Sequence, residues 1–160
     1  MACLRSRREY VVIMMSTKTW IVVGHRAGAR ILERKRGGLQ LLSEIVHEAG
    51  KLKDGEINSD RPGRAFDRTG GGRHAMSSQE TPHDHVAGVF ARELAETLRA
   101  GRLEHRFDRL VLVAEPRFMG MLRGALDGET AALIHDTVGK DLAKVPVDEL
   151  SSHLPTIGTL

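Results

Sequence analysis

Residues 58–76 read NSDRPGRAFDRTGGGRHAM and gather the side chains best suited in this chain to holding an anion. Arg61, Arg64, Arg68 and Arg73 supply planar, fork-shaped donors that match phosphate oxygens. Gly70, Gly71 and Gly72 carry no Cβ, so their amides can approach an anion closely. His74 follows, and imidazole suits general acid–base work near neutral pH. Together these types predict contact with RNA backbone or a phosphorylated ligand. The competing reading is a solvated loop whose arginines pair with Asp60 and Asp67. Either way the stretch has too little apolar content to bury itself, so it is a long functional loop or a disordered insert.

Two further arginines follow strands: Arg26 could anchor an anion or the sheet edge, and Arg117 stands at the carboxyl end of a strand, where ligands gather in α/β folds. Arg26 follows the apolar run WIVV and His25. Arg117 follows the strand LVLVA within Glu115-Pro116-Arg117, where a helix begins. Their plainer readings are a connector salt bridge and helix initiation by Pro116. His83 and His85 lie two residues apart and point roughly 200° away from each other on a helix, so no metal site is expected from them and His74. There is no P-loop, dinucleotide fingerprint, nucleophile elbow, Cys-His pair or metalloprotease helix, and no cofactor is implied. Aromatic content of 4% supplies few surfaces for base stacking, which leaves phosphate contact as the expected mode. A two-metal nuclease needs clustered carboxylates, and the strands offer Glu33, Glu44 and Asp136.

The elements that position these residues follow from periodicity. WIVV, ARILER (29–34) and LQLLSEIVH (39–47) read as three strands joined by short glycine-containing turns, an antiparallel meander. A polar loop of 48–80 carries the arginines and glycines. Thr81-Pro82-His83-Asp84 is a helix start: Thr81 caps, Pro82 suits the first position, and Asp84 favours the positive helix end. Val86, Val89, Phe90, Leu94 and Leu98 then recur at helical spacing toward Gly101. Residues 110–114 form the best strand. Pro116 opens a helix through Leu126 with Phe118, Leu122 and Leu126 on one face, stopped by Asp127-Gly128. A weaker strand spans 133–138 and a short helix 146–154. This order predicts a single α/β domain with a ribonuclease-H-like mixed sheet of about five strands and helices on its faces. The long Arg/Gly loop falls between strand 3 and the first long helix.

At 160 residues the chain fits one domain and can bury a core without disulfides. The net charge of +3 is mild, but the basic residues cluster at 5–8, 26–36 and in the loop, and clustering matters more for partners than the total. Cys3 is the one cysteine, so no internal disulfide can form and a reducing compartment is expected. No apolar run approaches the roughly 18 residues of a membrane span, and the basic N-terminus lacks a cleavage site. The expected location is the cytoplasm, with no membrane partner. Met15 is a plausible start, which makes 1–14 a leader or disordered extension and 15–160 the domain.

The strings WIVVGHRAGARILER, SDRPGRAFD, GGGRHAM, HVAGVFARELAETL and FDRLVLVAEPRFMGMLRGAL resemble the bacterial host attachment protein family, in order and over about residues 15–154. That family is in turn similar to the middle domain of archaeal and eukaryotic peptide-chain release factors. There a Gly-Gly-Gln loop precedes a long helix, and here residues 70–76 hold that place with His74 near the glutamine position. The Gly-Gly-Gln itself is absent. The resemblance implies contact with RNA or the ribosome, in translation termination or ribosome rescue. Two alternatives stay open: a small hydrolase or nuclease using His74, and a factor in attachment to host cells.

Overall fold

A computed structural model of the chain describes residues 17–52 and 80–154. The expected leader and the whole of 58–76 lie outside the described residues. Strand β1 (Thr19–His25) is buried along all but its last residue, as a run of Trp, Ile and Val bounded by a turn allows. β2 (Gly28–Lys35) returns antiparallel to it, and β3 (Gly38–Val46) returns antiparallel to β2. β4 (Arg109–Val113) runs parallel to β1, and β5 (Ile134–Val138) parallel to β4. The sheet order is β3-β2-β1-β4-β5, a mixed five-stranded sheet in a ribonuclease-H-like arrangement. β1 and β4, apolar on both faces, form its centre, which is how parallel strands covered on both sides are built.

Helices cover both faces. Helix α1 (Pro82–Leu103) and helix α2 (Pro116–Ala125) pack on one face, where Phe90, Leu94, Leu98, Phe118 and Leu122 meet Trp20, Val22, Ile31, Leu110 and Leu112. The one-turn α3 (Gly128–Ala131) follows α2, and α4 (Val147–His153) lies on the opposite face. There Leu142, Leu150 and Leu154 cover Ile21, Val23, Leu32, Val111 and Val113. Each cluster uses alternate residues of the same strands, as the two-residue side-chain period of a strand requires.

Three details differ from the sequence pattern. α1 buries Ala87, Ala91 and Ala95 beside Phe90, Leu94 and Leu98, and leaves Val86 and Val89 half-buried. Small residues on the contact stripe let the helix lie close to the sheet, and Gly101 extends that stripe to the Trp20 ring. Residues 48–51, expected in the loop, form a 3-10 turn (Glu48–Lys51). Asp127, expected as a stop, caps α3 by accepting from the Thr130 amide at 3.3 Å.

Candidate functional site

Because β1 and β4 run parallel, their carboxyl ends open on the same edge of the sheet. The chain leaves β1 through the Arg26–Ala27 turn and leaves β4 through Glu115 into α2. The first turn of α1 stands between these two exits. The result is a cleft of about 270 Å³ walled by Arg26, Thr81, His83, Asp84, Glu115 and Arg117, with Ala87, Phe118 and Met121 also lining it.

Internal bonds occupy part of each arginine. Arg26 Nη1 donates to His83 Nδ1 at 3.0 Å. Arg117 Nη2 donates to Asp84 Oδ2 at 2.5 Å, yet the Arg117 side chain stays 68% exposed. Asp84 is the buried partner. Its Oδ2 also accepts from Thr81 Oγ1 at 2.7 Å and from the Thr81 amide at 3.1 Å, while Thr81 Oγ1 accepts from the Asp84 amide at 3.2 Å. This reciprocal capping box fixes the start of α1 and holds Asp84 against Arg117.

The Thr81 hydroxyl holds the Asp84 carboxylate below its ordinary range; the Thr81 amide, Arg117 and His83 add to this, and burial opposes it. A depressed carboxylate contributes stability that is complete above its ordinary value of 3.8 and is lost as pH falls through the lower folded value. Asp84→Asn is therefore expected to melt below the wild type at about pH 7, with the gap closing at about pH 3 and below. Thermal unfolding across that range checks it, and a gap that widens in acid would contradict the assignment.

The turn itself is held from several sides. The Ala27 amide donates to His25 Nδ1 at 3.2 Å. Ala27 O accepts from the His47 amide at 2.9 Å. His47 Nδ1 donates to Arg26 O at 3.1 Å, and the His47 ring stacks on Phe90 with centroids 4.8 Å apart. Burial lowers the His25 pKa from its ordinary 6.5; Asp141 works against this, Arg26 and Arg30 with it, and Glu115 against it. Across the sheet edge, Arg30 Nη2 donates to Leu142 O at 2.9 Å and Val145 O at 2.8 Å, tying the segment before α4 to β2.

Arg26 and Arg117, both singled out in the sequence, meet at this cleft. Arg61, Arg64, Arg68, Gly70, Gly71, Gly72, Arg73 and His74 lie outside the described residues. The described residues on either side of that stretch, the 3-10 turn and Thr81, abut the Arg26 turn or its cleft. Among the described residues no three His, Cys, Asp or Glu side chains gather as a metal site.

The family model described as "Protein required for attachment to host cells" matches residues 20–154. The chain belongs to this attachment family. A solved structure described as "Archaeal protein" is similar to it, with 14% identity and a TM-score of 0.43, over 84% of this chain and 35% of that one. The chain thus spans well under half the length of that protein. Among curated proteins nothing matches. The family match bears on attachment and does not extend to the release-factor middle domain.

For this attachment-family member, the sequence singles out both arginines but not the residues they bond to. His83 was weighed for metal and Thr81 with Asp84 for capping, and nothing in the local pattern joins them to residues 26 and 117. The signal available was positional: Arg26 and Arg117 each follow a strand of the central parallel pair. No helix among the described residues is long and apolar enough to cross a membrane.

Proposed function

We propose that this chain acts in attachment to host cells by binding an anionic partner in the cleft between Arg26 and Arg117. The observation that carries the reading is the convergence of these two arginines, from opposite halves of the chain, on one cleft. Family membership supports the attachment role. Guanidinium groups on two separate elements suit a tetrahedral or planar oxyanion, which each can approach with paired donors. The test is complementation of a strain lacking the protein, scored by adhesion to host cells. Wild type restores adhesion, and the Arg26→Ala/Arg117→Ala chain at equal abundance does not. Full restoration by the double variant would sink the reading.

A second reading, contact with RNA or the ribosome in termination or rescue, is favoured by one placement. Thr81, which follows the arginine–glycine stretch in the sequence, lines the same cleft as Arg26 and Arg117. Salt-sensitive co-sedimentation with ribosomes, lost on joint replacement of Arg61, Arg64, Arg68 and Arg73 by Ala, tests it. Unchanged co-sedimentation would exclude it.

A further inference from the structure

We propose that the cleft takes a zwitterion, an oxyanion with an ammonium a few bonds away, and that Glu115 is the residue that selects the ammonium. The inference rests on the anion-binding reading above and names the class of ligand for the same site.

Two guanidinium groups and two carboxylates wall this cleft, those of Arg26, Arg117, Asp84 and Glu115. A bare anion entering between the arginines therefore meets carboxylate charge as well. The two carboxylates are not equivalent. Asp84 is spent, because its Oδ2 accepts from the Thr81 hydroxyl, the Thr81 amide and Arg117. The exposed Glu115 side chain makes no hydrogen bond or ion pair among the described residues. It holds the N-cap position of α2 and yet does not cap the helix. Nor is it held by His25, on which Asp141, Arg26 and Arg30 all act more strongly.

Glu115 thus shares a small cleft with two guanidinium groups and bonds to neither. Arg26 commits Nη1 to His83 and Arg117 commits Nη2 to Asp84, and the other nitrogens of each remain as donors. The site then offers cationic donors on two sides and an acceptor-only carboxylate on a third. An oxyanion uses the first and an ammonium, which has donors and no acceptor, uses the second. Ala87 and Phe118, both buried, and the half-buried Met121 give the cleft a hydrocarbon wall where an aliphatic group can rest. At about 270 Å³ the cleft lies just below the range of drug-sized sites, roughly 300–1,000 Å³, which fits a ligand the size of one amino acid.

The probes are two pairs that differ only in the amine: leucine against isocaproate, and phosphoethanolamine against ethyl phosphate. Calorimetric titration of the full chain near neutral pH is expected to show the amine-bearing member of a pair binding about tenfold tighter, the size of one charge-assisted contact. Preference within the leucine pair assigns an amino-acid group, and preference within the phosphate pair assigns a headgroup-like ester. Glu115→Gln keeps the length of the side chain and removes its charge. In that variant the amine preference should fall to within about twofold, while sulfate, a bare dianion, should bind about two- to threefold tighter. Effects of opposite sign on the two kinds of ligand do not arise from a damaged fold. Sulfate binding by the wild type with no amine preference in either pair, or a preference that survives Glu115→Gln, overturns the zwitterion and leaves the cleft standing. No binding of any of these probes overturns the cleft as well.

Discussion

Gly50→Ala is expected to cost about 2–3 kcal/mol of stability, more than other glycine replacements of similar exposure. A Cβ at this position would overlap the Arg26 carbonyl oxygen and stand 2.7 Å from Ala27 Cα. Both obstacles are backbone, and neither can rotate aside. The turn they belong to is fixed by the bond from the His47 amide to Ala27 O and by His25 and His47 through their side chains. Relief therefore means lifting the 3-10 turn away or displacing the exit from β1, and each breaks bonds already counted. Gly88 on α1 is the control, because a Cβ there meets nothing within 4 Å. Gly88→Ala should be neutral or stabilising by about 0.5–1 kcal/mol, since it removes a helix-interior glycine. Urea unfolding of both variants checks the contrast. A Gly50→Ala protein as stable as the wild type would mean that the two turns do not approach each other as closely as they do here.

How much of this could be read from sequence depends on the range of the interaction. The sheet was legible because its signals are local: WIVV and LVLVA are continuous apolar runs, and such runs fit strands covered on both faces. The start of α1 was legible because Thr81, Pro82 and Asp84 act within four residues. The cleft was legible only in part. A strand end pointed to Arg117 and a short charged turn to Arg26, but the bonds from Arg26 to His83 and from Arg117 to Asp84 join residues far apart in the chain. No periodicity encodes such pairs. Gly50 shows the same limit, since a glycine in a polar stretch looks like a flexible turn until the Arg26 carbonyl is placed against it. The alanine stripe of α1 was missed for a different reason: the valines are more apolar, but the approach of helix to sheet selects the smaller side chains.

Removing both cleft arginines should weaken sulfate binding, read by calorimetric titration, about a hundredfold, and the two single variants should share that loss. Arg117 commits one nitrogen to Asp84 and keeps the rest of its fork exposed, so Arg117→Ala should cost about tenfold. Arg26 commits one nitrogen to His83 and its side chain is otherwise exposed, so Arg26→Ala should also cost about tenfold. Arg117→Lys should not restore affinity, because a single ammonium cannot serve Asp84 and an anion with the geometry of a fork. The fold should survive these changes. Asp84 keeps both bonds from Thr81 when Arg117 is removed, and the capping box still starts α1. An unchanged unfolding midpoint alongside the lost affinity would separate a missing contact from a damaged domain. Adhesion should then fall in the same order as sulfate affinity across the variants, because attachment is argued to run through the anion. A double variant that has lost sulfate but still supports adhesion would break that link and return the family role to another part of the chain.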